Sequence, residues 1–145
     1  MKDPSYSLRK AIYSRLNGNV SYNAVNVPVY NRVEDAAVYP YILLMSEQVT
    51  ETDQNRDNYN NDALVTIEVV TRFDSDDGGQ KVANIIMNDI TVLMRTRTSG
   101  YLNLSADGFE VYGTVSDGIN QLEEDYTDHY YFRSILTMRF KVGES

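Results

Sequence analysis

From Tyr130 to Val142 the chain alternates between two faces without a break, and that run constrains the fold more than any other feature of the sequence. Tyr130, Phe132, Ser134, Leu136, Met138, Phe140 and Val142 fall on one side; Tyr131, Arg133, Ile135, Thr137, Arg139 and Lys141 take the other. A period of two belongs to the β-strand, whose successive side chains point to opposite faces. A strand this long and regular is expected to be hydrogen-bonded on both sides, and so to be the framework of a sheet. A second run, Ala63 to Phe73, repeats the pattern. Ala63, Val65, Ile67, Val69 and Phe73 share an apolar face, while Thr66, Glu68 and Arg72 share the other with Leu64 and Val70. That second face is mixed and reads as partly covered.

Between the two runs the period changes. Val82, Ile85, Ile86, Ile90, Leu93 and Met94 form a stripe at spacings of three and four, which predicts an amphipathic helix. Ser75, Asp76 and Asp77 precede it, where acids favour the positive helix end, and Arg95 and Arg97 follow it. Another helix opens the chain: Asp3 is placed to cap, Pro4 suits the first turn, and Gly18 is a left-handed stop. Its apolar face is Leu8, Ala11, Ile12 and Leu16. Asn19 to Asn26 reads as an irregular polar stretch, and Val27 to Tyr30 as a short extended piece that Pro28 keeps away from a sheet centre. Arg32 to Ala37 reads as a loop, Tyr39 to Met45 as the start of a strand, and residues 53–62 as a polar loop. Leu102 to Leu104 is a short strand; Phe109 to Leu122 is extended, with Gly113 and Ser116-Asp117-Gly118 marking a bulge or a hairpin. The expected order is α-β-β-β-α-β-β-β. This is an α+β fold, a mostly antiparallel sheet with two helices packed on one face, in a single domain spanning residues 1–145.

Charge narrows the function classes. Thirteen Lys and Arg stand against 21 Asp and Glu, a formal charge of −8, which argues against a tight wrapper of duplex DNA. It suits a protein that DNA slides past, since a passage works better by repelling phosphates than by gripping them. The acids concentrate in residues 51–80 and 101–128, and the second stretch holds seven of them with no Lys or Arg. Twelve Tyr suit half-exposed strand positions and protein interfaces alike. No secretory signal opens the chain, and no apolar run approaches the roughly 18 residues of a membrane span, so it is expected to be soluble and made in the cytoplasm.

Chemistry-bearing motifs are few. With one His and no Cys, Cys/His nucleophile pairs and multi-His metal sites are ruled out within the chain. His129 lies beside Asp125 and Asp128, but no Gly-x-Ser-x-Gly accompanies it, and it reads as a solvated strand-end residue. Asp53-x-Asn55-x-Asp57 matches the first ligands of an EF-hand loop, yet Asn58 stands where Gly is needed and Leu64 where the bidentate Glu belongs. Helix capping accounts for Asp74, Asp76 and Asp77. Asp77-Gly78-Gly79-Gln80-Lys81 has neither Walker nor dinucleotide spacing. No catalytic residue, cofactor or metal is expected, and the chain is not expected to be an enzyme. The candidate site is a surface: Glu123, Glu124, Asp125 and Asp128 beside Tyr126, with Asp53, Asp57 and Tyr59 in the polar loop, lining a channel or docking an adjacent subunit.

Several of these pieces together are familiar. The N-terminal amphipathic helix, Val29-Tyr30, the strand start Tyr39-Pro40-Tyr41-Ile42-Leu43-Leu44, the strand Ala63–Phe73 running into a helix, and the closing Arg133–Phe140 resemble the tail-terminator, or tail-completion, family of tailed bacteriophages. The resemblance implies a structural virion protein at the head–tail junction. It implies a homo-oligomeric ring, of six subunits or a multiple of six, in contact with neck, connector or tail-tube proteins, with DNA passing through the lumen without specific binding. The polar loop at 53–62 and the acidic stretch at 116–128 depart from the family's usual pattern. An alternative of another class is an acidic monomer that mimics DNA as a regulatory inhibitor. A small hydrolase is the weakest reading, for want of a convergent nucleophile and base.

Overall fold

The two alternating runs pair with each other. Residues 2–32, 38–52, 60–74, 79–95, 100–127 and 129–144 are described in this computed structural model, without the side chains of Ser46 and Glu47. In chain order the elements are α1 (Ser5–Leu16), β1 (Ser21–Tyr22), β2 (Val25–Asn26), β3 (Val29–Tyr30), β4 (Tyr41–Glu51), β5 (Asn60–Phe73), α2 (Lys81–Met94), β6 (Phe109–Asp125) and β7 (Tyr130–Glu144). A single 3-10 turn, Ser105–Asp107, precedes β6.

Five strands form one sheet in the order β3-β4-β5-β7-β6, antiparallel throughout except for β3, which lies parallel to β4. β5 and β7 align without a register shift from Asn60↔Gly143 to Phe73↔Tyr130. Both strands are flanked on each side, as the uninterrupted alternation of 130–142 implies. The apolar parity of each strand faces the helices: Ile42 and Leu44 of β4, Val65, Ile67 and Val69 of β5, and Leu136, Met138 and Phe140 of β7 are buried in one core. α1 packs beside β4, and α2 lies over β5 and β7. The α+β architecture with both helices on one face is therefore the one expected.

Several local expectations change. Asn19 to Asn26 is not irregular: Ser21↔Asn26 and Tyr22↔Val25 form a small hairpin, turned by Asn23 (φ 52°) and Ala24 (φ 63°) in the left-handed region. The polar loop is shorter than residues 53–62, because β5 begins at Asn60 and Asn61 is fully buried within it. Leu102 to Leu104 is no strand; Leu102 and Leu104 drop into the core from the segment leading to the 3-10 turn. The second half therefore contributes two strands to the sheet, not three. β6 is one strand, and the interruptions read at Gly113 and Gly118 are two bulges. Gly118 takes φ +133°, a conformation L side chains rarely adopt, so the second bulge requires glycine. Asp3 lies one place too early to cap in the usual position. Its Oδ1 instead accepts from the backbone N–H of Ser5 at 2.9 Å and from the Ser5 hydroxyl at 2.6 Å. Ser75, Asp76, Asp77 and Arg97, expected to flank α2, lie outside the described residues.

The stripe on α2 is also rotated from its expected position. Ala83, Ile86, Met87, Ile90 and Met94 are buried; Val82 and Leu93 are partly buried, and Ile85 is exposed. Ala83 and Met87 therefore join Ile86, Ile90 and Met94 in the core. Ile90→Ala is expected to lower unfolding stability by about 2–5 kcal/mol, as buried truncations do, whereas Ile85→Ala should stay within about 0.5 kcal/mol. Urea unfolding midpoints of the two variants check the docking of α2, and equal shifts would contradict it.

Candidate interaction surface

The sheet face away from the helices is the unusual one. Parity sends Tyr41 of β4, Glu68, Val70 and Arg72 of β5, Tyr131 and Arg133 of β7, and Leu122 and Glu124 of β6 to that side. No described helix covers it, yet Tyr41, Glu68 and Val70 are buried. Other side chains of the same face do the covering. Tyr41 packs edge-on to Tyr30 with ring centroids 5.6 Å apart, and Tyr39 contacts Tyr41 at 5.2 Å and Tyr131 at 5.9 Å.

Arg133 is the centre of this face. Its Nη1 donates to Glu68 Oε1 at 2.8 Å, and its Nε lies 2.9 Å from Glu124 Oε1, an ion pair whose angle falls short of a good hydrogen bond. Its guanidinium carbon lies 5.6 Å from the centroid of the Tyr131 ring. The Tyr126 hydroxyl donates to the second oxygen of Glu124 at 3.0 Å. Burial works against the Arg133 charge, but Glu68 and Glu124 outweigh it and hold the guanidinium pKa above its ordinary value. Glu68 is the least accessible member of the network, with a side chain only 8% exposed. A buried carboxylate is tolerable only with such a partner.

At the top of β6 and β7 the aromatic cluster closes on itself. The Tyr126 N–H donates to the His129 carbonyl at 2.9 Å, and the two rings stack at 5.1 Å. Tyr131 meets Tyr126 edge-on at 5.5 Å and His129 at 5.1 Å. His129, immediately before β7 as the sequence places it, is half-buried and packs against both tyrosines. On the far side, Arg72 lies 5.8 Å from the Tyr39 ring and 3.5 Å from Asp74. Burial, with help from Tyr131, pushes the Tyr39 hydroxyl up to about 12, and burial likewise raises Tyr41.

The acidic candidates divide between the two faces. Glu124 and Tyr126 join the Arg133 network. Glu123 and Asp125 pair with Phe132 and Tyr130, on the helix side of the sheet. These two carboxylates crowd each other, and the charge of Asp125 raises the pKa of Glu123. The stretch is also less unpaired than its composition suggests. Arg139 holds Asp117 at 3.1 Å, as Arg133 holds Glu124, because β7 brings its cations beside β6. Asp53, Asp57, Tyr59 and Asp128 lie outside the described residues. Tyr39, Tyr41, Glu68 and Arg133 were not singled out from the sequence. The only available signal was the mixed parity of Ala63–Phe73, which announced a covered second face without naming what covers it. Among the described residues no group of three or more His, Asp or Glu is placed to hold a metal.

Comparison with known proteins bears on the fold. No family model matches the chain, and no curated protein matches its sequence. Among solved structures, a chain of the virion of a native gene transfer agent particle superposes with a TM-score of 0.68 at 16% sequence identity, covering 97% of this chain and 99% of that one. At that identity the likeness establishes a shared fold.

Arg133→Met is expected to cost about 3 kcal/mol, since it strands the Glu68 carboxylate in the sheet. The double variant Arg133→Met/Glu68→Gln should recover most of that loss in denaturant midpoints; failure to recover would mean that the pair is not coupled. A second expectation follows from Tyr39. Its folded pKa of about 12 exceeds the ordinary 10.0, so its contribution is complete below pH 10 and is lost as pH rises towards 12. Unfolding followed across that window should show falling stability, with a shallower fall in Tyr39→Phe.

Proposed function

We propose that the chain is a structural protein of a phage-like virion, acting without catalysis as a ring at the head–tail junction of the tail-terminator or tail-completion kind, with DNA passing through its lumen. The observation that carries this reading is the end-to-end correspondence of fold with a virion chain: nearly all of both chains superpose, so the likeness covers the whole topology and not a common sheet fragment. The resemblance noted in the order of sequence elements points the same way. The surface supports recognition better than chemistry. Its charged groups hold one another in place, and its aromatic rings are rigid, amphipathic contact area of the kind protein interfaces use.

The alternative, an acidic monomer that imitates DNA, calls for unpaired acids spread along one face. Here Asp117 and Glu124 are neutralised by arginines, and Glu123 and Glu124 point to opposite sides of the sheet. That arrangement makes a poor phosphate ladder.

The purified chain, viewed by negative-stain electron microscopy at high protein concentration or with its neighbouring virion proteins, is expected to form closed rings with a central hole, of six subunits or a multiple of six. Particles made without it should accumulate as unjoined heads and tails. A chain that is missing from purified particles and leaves their yield unchanged when deleted refutes the virion role.

A further inference from the structure

β6 is one of the two edge strands of the sheet, the other being β3, and pairs with β7 on one side only. Every residue from Val115 to Glu123 is exposed, and Val115, Ile119 and Leu122 are open to 43–46%. A long edge with apolar side chains is a template for another chain unless something blocks it. Along this edge Glu110, Glu123 and Asp125 are exposed and have no ion-pair partner among the described residues. They forbid pairing of two β6 edges, which would set acid against acid, and they call for a cationic counterpart.

The counterpart lies on the opposite flank of the same chain. α1 packs beside β4, which β5 and β7 separate from β6. The helix contains Arg9, Lys10 and Arg15 and no acid. Tyr6, Arg9, Lys10, Tyr13 and Asn31 line a groove of about 210 Å³ on its outer side. Tyr6 is 71% exposed, and Lys10 lies 5.6 Å from its ring. Arg9 Nε is buried without a hydrogen-bond partner. Among the described residues two acids approach this flank: Asp107, which pairs with Lys10 at 3.1 Å, and Asp3, which accepts from Ser5. Arg15 donates to the Gly100 and Tyr101 carbonyls, so Arg9 is the helix cation with no ion-pair or hydrogen-bond partner among the described residues. One flank is therefore acidic and apolar, the other basic and aromatic.

We propose that copies of this chain associate head to tail, the free acidic edge of β6 in one copy docking on the basic, tyrosine-bearing face of α1 in the next. The occupant is a second copy because the complementary surface is present on the chain itself. Since unlike patches meet, the contact is heterologous and propagates until a rotation closes it. The inference deepens the ring reading and rests on it for the need to self-associate.

The test is charge reversal followed by multi-angle light scattering at low salt. Glu123→Lys/Asp125→Lys and, separately, Arg9→Glu should each weaken self-association about tenfold or more, as reversed interface charges do. Glu124 and Lys10 are left in place because Arg133 and Asp107 pair with them. The three substitutions combined restore opposite charge with inverted polarity, and the oligomer should return. Circular dichroism confirms that each variant is folded. A folded combined variant that stays monomeric, a variant of either flank with undiminished mass, or a wild-type chain that is monomeric at high concentration overturns the proposal. A chain that enters particles while failing these mass tests defeats this contact and leaves the virion role standing. A chain that shows the swap but is missing from particles does the reverse.

Discussion

Everything in this fold hangs on the register between β5 and β7. Fourteen residue pairs align without a bulge, from Asn60↔Gly143 to Phe73↔Tyr130. In an antiparallel pair a slip of one residue sends every side chain to the wrong face. Here the slip would put Ile67 and Val69 on the face opposite to Leu136, Met138 and Phe140, so that one set would leave the core and either Glu68 or Arg133 would turn towards the helices. Burial of the apolar parity therefore selects the register, and the register in turn places everything else. β4 and β6 add to the outer sides of this pair, α2 lies across it, and α1 fills the remaining space over β4.

The opposite face shows what the same constraint does with polar residues. Once Ile67 and Leu136 face the helices, Glu68 must face away, diagonal to Arg133 on the neighbouring strand. Neither charge is tolerable alone at that depth, and each is stabilised by the other. Glu124 arrives from β6 at the level of Tyr131, and Tyr39 and Tyr41 close over the rest. The result is a rigid, mixed aromatic and ionic surface that needs no helix to cover it.

β6 belongs to a different regime. Its inner half is anchored by Phe109 and Val111 in the core, but beyond Thr114 it runs along the edge with β7 as its partner, touching α2 through the Gln121–Asn84 hydrogen bond at 3.0 Å. The bulges at Gly113 and Gly118 adjust its twist without ending it. The strand thus runs on past the part that the core anchors, and its Glu123 and Asp125 have no ion-pair partner among the described residues.

The sequence alone determined the types of the long elements and the buried parity of the long strands. The period-two runs at 63–73 and 130–142 and the helical stripes at 8–16 and 82–94 are local patterns, legible because backbone geometry repeats every two or 3.6 residues. From them the α+β class, the central strand and the burial of Leu8, Ile12, Ile86 and Ile90 could be read. Only the tertiary structure decided which acid meets which base. Glu68 and Arg133 are 65 residues apart, and their meeting depends on strand order and register, which no window of sequence contains. The same holds for Asp117 and Glu124, acids in a stretch without a single cation, which are neutralised by arginines from the next strand. Local composition records charge; pairing across a sheet decides how much of it stays free.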